Sequence, residues 1–135
     1  MELKHYFEYL QNTIVNKWDT LAMKDLDGNT SYTYGDIANE IARLHVTVRE
    51  LGIKEGDKIA LCGRNSANWS IAFLASMTYG AVPVPILNDF KADSIHNIVN
   101  HSDSRILWAD DATLNAISLN EMSALEVVVN LNDFT

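Results

Sequence analysis

The sequence has few of the residues that would cross-link it or draw it to polyanions. Its 135 residues include a single cysteine, Cys62, so no disulfide framework can form within the chain. Lysine and arginine number 10 against 18 aspartates and glutamates, which gives a net charge of −8. Because nucleic acids and anionic membrane surfaces attract positive fields, this balance excludes a general affinity for either.

Long apolar runs and a secretion signal are also missing. No run approaches the roughly 20 apolar residues that a membrane-spanning helix needs. The N-terminus, MELKHYFEYLQNTIVNKW, lacks the basic segment and apolar core of a signal peptide. Together with the lone cysteine, these absences lead us to expect a cytoplasmic protein with no integral membrane segment.

The first part of the chain reads as a helix, a hairpin and a second helix. Residues 3–17 carry apolar side chains at helical spacing. Two short extended stretches, 21–26 and 31–33, flank Asp27-Gly28, a pair that favours a hairpin turn. Thr33 with Asp36 forms a capping-box pattern that opens the second helix, and Gly52 ends it. The apolar stripe of this helix consists of Ile37, Ile41, Leu44, Val48 and Leu51.

The rest of the chain alternates short strands with helices. Strands are predicted over 58–62, 81–86, 105–108 and 126–129, and helices over 67–79, 91–101 and 111–118. Pro83 and Pro85 cannot donate to a ladder, which favours either an edge position for their strand or a strand that leaves the sheet. The alternation predicts one α/β domain over residues 1–135, with a mainly parallel sheet and helices on both faces.

Ligands of open α/β sheets bind beyond the carboxyl ends of the strands, and here four polar loops follow those ends. They are 63–66, 87–89, 109–111 and 130–132. The first belongs to LCGRNSANW (61–69), whose strand–glycine–helix layout is shared with phosphate-binding loops. Such loops need several glycines and a lysine, and this one has a single glycine and no lysine. We therefore predict a turn with Asn65 or Ser66 as the helix cap and Arg64 as a surface charge.

Other candidate clusters are incomplete. His96 and His101 lie about 140° apart on a helix, so they cannot share a metal. His5 and His45 are isolated, and we expect them at interfaces or on the surface. The tryptophans, Trp18, Trp69 and Trp108, are expected to fill core or subdomain contacts.

The acidic pair Asp110-Asp111 follows a strand, as in a phospho-receiver switch, in which one of the two would accept a phosphoryl mimic with Mg²⁺. The lysine that such a switch also needs is missing from 130–132. The residues alone therefore give no catalytic, cofactor-binding or metal site.

Three stretches between Tyr32 and Asp110 carry a resemblance to a known family. They are YTYGDIANEIARLHVTVRELGIKEGDKIALCGRNSANW, FLASMTYGAVPVPILND and SIHNIVNHSDSRILWAD. In order and spacing they resemble the N-terminal region of the adenylate-forming (AMP-binding) enzymes. Because a tryptophan follows the Asn-Ser loop, the chain most resembles the long-chain fatty acyl-CoA synthetases within that family. The resemblance implies the first subdomain of the large domain of such an enzyme.

The resemblance also implies a reaction for the whole enzyme. Using ATP and Mg²⁺, it would join a fatty or other carboxylic acid to AMP, and would then pass the acyl group to coenzyme A. In that family the phosphate loop, the adenine and ribose contacts and the assisting lysine lie further along than Thr135. No catalytic residue is therefore carried over, no cofactor is expected to bind this chain, and we expect it to be inactive. The loop Leu87-Asn88-Asp89-Phe90-Lys91 lies near the coenzyme A phosphates in some relatives, yet here it offers only one cation.

Besides the phospho-receiver switch, two interpretations of the chain remain open. The first is an N-terminal piece of an acyl-CoA ligase. Such a piece would expose apolar surface and leave the strand at 127–129 near an unpaired sheet edge, and both features would favour self-association. The second is a stand-alone, non-catalytic α/β module for protein contacts, which would cover that edge.

Overall fold

A computed structural model describes residues 3–26 and 29–135, with side chains from residue 6 onward. The described α-helices are α1 (Leu3–Asn16), α2 (Tyr34–Glu50), α3 (Ala67–Tyr79), α4 (Ala92–Ser102) and α5 (Asp111–Ala116). The described strands are β1 (Leu21–Lys24), β2 (Ser31–Thr33), β3 (Lys58–Cys62), β4 (Val82–Ile86), β5 (Ile106–Ala109) and β6 (Val127–Asn130). A 3-10 turn at Leu119–Glu121 precedes β6. None of the described helices is both long and apolar enough to cross a membrane.

The main sheet is parallel, in the order β4-β3-β5-β6. The predicted edge position of the proline strand is confirmed, and the geometry shows why it is tolerated. The Val82 N–H donates to the Asp57 carbonyl on the β3 side at 2.8 Å. Since backbone groups alternate in direction along a strand, Pro83 and Pro85 take the positions that face away from β3, where a donor has no strand to meet.

Helices cover both faces of the sheet, as predicted. Strand side chains alternate between two apolar clusters because successive residues point to opposite faces. One cluster joins α2 and α3 to the face that carries Ile59, Leu61, Ile106 and Trp108. The other joins α4 to the face that carries Ala60, Cys62, Leu107 and Ala109. The strands β3 and β5 are thus buried from both sides, which explains their nearly unbroken apolar sequences.

Local capping chemistry sets the helix ends. Thr33 and Asp36 form the predicted capping box, with each side chain accepting from the other's backbone N–H. Gly80 ends α3 at φ 101°, in the left-handed region that favours glycine. The predicted helix over 111–118 is shorter, because Ile117 turns to an extended conformation and the Ser118 N–H donates to His96 Nε2 at 2.9 Å.

The two short strands β1 and β2 pair antiparallel in a separate two-stranded sheet, which confirms the hairpin pairing. The first strand ends at Lys24 rather than at residue 26; the Asp25 N–H still donates to the Thr30 carbonyl, and its side chain accepts from the Ala67 N–H of α3. The turn pair Asp27-Gly28, on which the sequence prediction rested, lies outside the described residues.

An arginine clamp holds the amino ends of the parallel strands. Arg105, just before β5, reaches Asp57 before β3 at 2.7 Å and Glu126 before β6 at 2.6 Å. Its Nη1 also donates to the Gly52 carbonyl after α2. These bonds to Glu126 and Asp57 raise the pKa of Arg105. The clamp sits at the end of the sheet opposite the expected ligand side, so its role is structural.

Candidate functional site

A polar cavity of about 360 Å³ opens beyond the carboxyl ends of β3, β5 and β6, with the hairpin along one side. Its lining residues are Asp25, Leu26, Thr30, Arg64, Asn65, Ser66, Asn68, Asp110, Leu131 and Asn132. Three of the four predicted loops thus meet at one place. The fourth, Leu87-Asn88-Asp89 after β4, is not among the lining residues, and its side chains are exposed.

The LCGRNSANW loop leads into the start of α3, where side chains of the protein itself accept hydrogen bonds from the first backbone N–H groups. Ser66, one of the two predicted caps, accepts from the Trp69 N–H at 3.1 Å. The Ala67 N–H donates to Asp25 Oδ1 from the hairpin at 2.7 Å. A helix N-terminus attracts anions, and here a carboxylate of the protein itself takes part of that position. The loop is therefore a capped turn, as predicted.

Asp110 fastens two loops together at the floor of the cavity. Its Oδ2 accepts from the Arg64 N–H at 2.9 Å, and its Oδ1 accepts from the Thr113 N–H at 3.0 Å as the N-cap of α5. Burial raises the pKa of the Asp110 carboxyl, but these hydrogen bonds outweigh burial and bring the pKa below its ordinary value. A Cβ on Gly63 would lie 3.2 Å from this carboxylate, so the approach favours glycine there.

Asn68 ties the hairpin and the segment after β6 to α3. Its Oδ1 accepts from the Tyr32 hydroxyl at 2.6 Å, and its Nδ2 donates to the Leu131 carbonyl at 2.7 Å and the Asn132 carbonyl at 3.2 Å. Asn68 is not predicted as a site residue, because a polar amide in the first turn of a helix carries no specific signal for such contacts.

The second aspartate of the acidic pair also has a structural partner. Asn130 Nδ2 donates to Asp111 Oδ1 at 2.6 Å, and the Asp111 N–H donates to Asn132 Oδ1 at 3.0 Å. With Asp110 committed to two amides, the pair holds loops in place, and the phospho-receiver interpretation finds no support.

The cavity lining is poorly matched to a nucleotide phosphate or to Mg²⁺. Among the described lining residues, Arg64 is the only one with a cationic side chain, and two carboxylates, Asp25 and Asp110, share the lining. Among the described residues, no group of three or more His, Cys, Asp or Glu could hold a metal ion. The arrangement holds backbone loops in place through hydrogen bonds.

Two of the histidines, His45 and His96, serve as hydrogen-bonding residues between elements. His45 lies between α2 and α3, with Nε2 3.1 Å from the Ala75 carbonyl and 2.9 Å from Thr78 Oγ1, which confirms its interface position. Burial lowers the pKa of His45. His96 accepts the Ser118 N–H described above, and the side chain of His5 lies outside the described ones.

Trp108 and Trp69 occupy the predicted core and packing positions, whereas Trp18 is 44% exposed. Trp108 is fully buried against the Phe134 ring, with ring centroids 6.1 Å apart. Trp69 stacks on Phe73 at 5.5 Å. Trp18 packs so close to Gly35 that a Cβ added there would lie 2.5 Å from its ring.

Comparison with known proteins gives consistent matches. The family model of the AMP-binding enzymes matches residues 10–134. Long chain acyl-CoA synthetase 3 of Arabidopsis thaliana is 29% identical over 79 residues, which are 58% of this chain and 12% of that protein. Acetyl-coenzyme A synthetase of Penicillium chrysogenum is 32% identical over 79 residues, with the same coverage of 58% and 12%.

A solved structure matches the fold over nearly the whole chain. The anthranilate CoA ligase AuaEII, in complex with anthranoyl-AMP, has a TM-score of 0.86 and 21% identity, covering 94% of this chain and 26% of its own. The chain thus spans only a small part of the proteins that it matches. Because the family model covers nearly all of it, the chain belongs to the AMP-binding enzyme family, and its fold is that of the N-terminal part of adenylate-forming enzymes.

Proposed function

We propose that this chain is the first α/β subdomain of an ATP-dependent acid–thiol ligase. The whole enzyme would activate a carboxylic acid as acyl-AMP and then transfer the acyl group to coenzyme A. The family match over residues 10–134 carries this proposal. Long-chain fatty acids are the proposed substrate class, supported by the resemblance of the Asn-Ser loop and by relatives named long chain acyl-CoA synthetases.

Within that enzyme, this region would supply scaffold rather than reacting groups. Attack of a carboxylate on the α-phosphate of ATP needs cations where negative charge develops, a role for which Mg²⁺ is suited. The described lining of the cavity offers one arginine, and its two carboxylates, Asp25 and Asp110, accept hydrogen bonds from backbone N–H groups of the protein. We infer that other parts of the enzyme hold ATP and Mg²⁺, and that the 135-residue chain by itself forms no acyl-adenylate. We also propose a cytoplasmic location.

The test is ATP–pyrophosphate exchange with the purified chain and a series of acids, from acetate to palmitate. We expect exchange no greater than in a protein-free blank. The control is a chain carrying Asn68→Ala, purified in the same way, because a contaminating ligase would give both samples the same activity. Exchange that depends on fatty acid, scales with the chain and falls in the variant would contradict the proposal of inactivity.

A further inference from the structure

Two side chains of α4 hold residues 117–122, here called the 117–122 segment, against that helix. The Ser118 N–H donates to His96 Nε2 at 2.9 Å, and Asn100 Nδ2 donates to the Glu121 carbonyl at 2.7 Å. His96 and Asn100 are four positions apart, so they lie on one face of α4. The backbone hydrogen bonds of the segment span no more than four residues. Among the hydrogen bonds of the described residues, the two from α4 are therefore those that join the segment to a part of the chain distant in sequence.

The 117–122 segment covers part of the core on the α4 face of the sheet. Met122 is 2% exposed and belongs to the apolar cluster that contains Leu107 and Ala109 of β5. Ile117, at the other end of the segment, packs against the same cluster. Release of the segment would therefore bring water to Met122 and to the strand side chains with which it packs.

The bond at Ser118 requires a neutral histidine. His96 is only 8% exposed, and its Nε2 accepts a hydrogen bond only when it carries no proton. The ring proton of the neutral form therefore lies on Nδ1. A proton added at Nε2 would point at the Ser118 N–H, so two donors would face each other without an acceptor. This arrangement is relieved when both groups turn to water, which requires that the segment move away.

The ionisable groups around His96 are mostly acidic. On the elements that share this core with α4, and on α4 itself, they are Asp93, His101, Asp111, Glu121 and Cys62. His101 lies about 140° away around α4, and burial raises the pKa of Cys62, which keeps that thiol neutral. The other three are acids, and negative charge favours an imidazolium over a neutral ring. Burial of the closed form opposes a charge on the ring, so protonation and opening favour each other.

We propose that His96 is a pH-sensitive latch for the 117–122 segment. In its neutral form it holds the segment closed against α4, and when Nε2 takes up a proton from solvent the segment opens. The Asn100 bond lies between exposed groups, and water competes for both partners, so it does not keep the segment closed by itself. The strands stay paired, because none of the ladders of β3, β5 and β6 includes a residue of the segment.

Amide hydrogen exchange of the whole chain tests the proposal. It is followed by NMR at pH 7.5 and pH 5.5, on either side of the ordinary histidine range, with rates corrected for their intrinsic dependence on pH. We expect the protection of the Ser118, Glu121 and Met122 amides to fall about tenfold relative to that of the β5 amides, which report global unfolding.

Two variants of α4 separate the latch from other effects of pH. In His96→Gln, the side-chain oxygen takes the place of Nε2 as acceptor and does not titrate, so the relative protection of the segment should not change with pH. The matched control, His101→Gln, removes an exposed histidine of the same helix and should behave like the wild type.

The ring nitrogens of His96 give a second test, which needs only the wild type if the glutamine variant fails to fold. In ¹⁵N spectra at pH 7.5, we expect the ring proton on Nδ1 and an unprotonated Nε2. On acidification, the resonance of the Ser118 amide should shift together with those of the His96 ring.

Several results would overturn the proposal. These are a proton on Nε2 at pH 7.5, a ring that titrates while the Ser118 amide keeps its shift and its protection, an equal loss of protection in His96→Gln, or a loss shared equally by the β5 amides. The last would show that acid unfolds the chain as a whole. None of these results bears on acyl-adenylate formation, so this inference and the proposed function fail separately.

Discussion

Replacing Asp110 by alanine tests whether this carboxylate stabilises the fold by joining the loop after β3 to the start of α5. The substitution removes the N-cap of α5, worth about 1 kcal/mol, and the acceptor for the Arg64 N–H. A hydrogen bond to an ionised acceptor contributes about 1.5–3 kcal/mol, and water offsets part of this because the carboxyl is half-buried. We expect a loss of about 2 kcal/mol in the free energy of unfolding, or a fall of about 1 M in the urea midpoint.

The neighbouring aspartate supplies the control. Asp111 makes one exposed side-chain bond, to Asn130, so Asp111→Ala should cost less than about 1 kcal/mol. Urea unfolding at pH 7, followed by tryptophan fluorescence and circular dichroism, compares both variants with the wild type.

The same comparison at lower pH checks the physical cause. The folded pKa of Asp110 is below its ordinary value of 3.8, so the unfolded chain binds the proton first as the pH falls. The stabilisation is therefore present above about pH 4 and is lost as the pH falls through the folded pKa. The difference in the free energy of unfolding between the wild type and Asp110→Ala should become smaller from pH 7 to pH 3. Equal stability of the two alanine variants at pH 7 would refute the reasoning.

Two further changes probe the core and the turns. Burial lowers the pKa of His45, so as the pH falls the unfolded chain takes up a proton near the ordinary value of 6.5 before the folded chain does. The free energy of unfolding of the wild type should therefore decrease as the pH drops through that value. In urea titrations between pH 8 and pH 5, His45→Gln should show a smaller decrease. Gly80→Ala and Gly56→Ala both force a side chain to positive φ, at a cost of about 1–2 kcal/mol each by thermal unfolding. In addition, the new Cβ of the Gly80 variant would lie 3.3 Å from Glu55 Cγ, whereas the Gly56 variant meets nothing within 4 Å. If Gly80→Ala lost no more stability than Gly56→Ala, the strain assigned to the Glu55 contact would be contradicted.

The sequence predicts those parts of the fold that depend on near neighbours. The capping box of Thr33 and Asp36 spans three residues, and so does the Ser66 cap of α3. The capping box can be predicted from spacing alone, whereas for α3 the sequence leaves Asn65 and Ser66 as alternative caps and the structure shows Ser66. The edge position of β4 also follows locally, because proline lacks a donor wherever it stands.

The unpredicted contacts join residues far apart in sequence. Asp25 reaches Ala67 across 42 positions, and Asn68 reaches Leu131 across 63. No periodicity marks such residues, since their partners are set only when the hairpin and the end of β6 meet over α3. The Arg105 clamp is hidden for the same reason: Asp57 and Glu126 are ordinary charged residues before strands until the strands align.

The sequence predicts where the candidate site lies but not which hydrogen bonds its side chains make. The rule of carboxyl strand ends located the cavity, and three of the four loops contribute to it. The β4 loop is expected with them, yet the cavity lies over β3, β5 and β6, on the side of the sheet away from β4. The prolines predict that β4 lies at an edge, but the side of the sheet to which the hairpin comes depends on contacts between residues far apart in sequence.

The mass of the native protein tests the central claim most directly. An antibody raised against this chain would be used on lysate of cells that carry the sequence, with peptide-blocked antibody as the control. If the chain is the first subdomain of an acid–thiol ligase, the specific band lies several times above 15.1 kDa. A single specific band at 15.1 kDa would contradict that account and favour a stand-alone module for protein contacts.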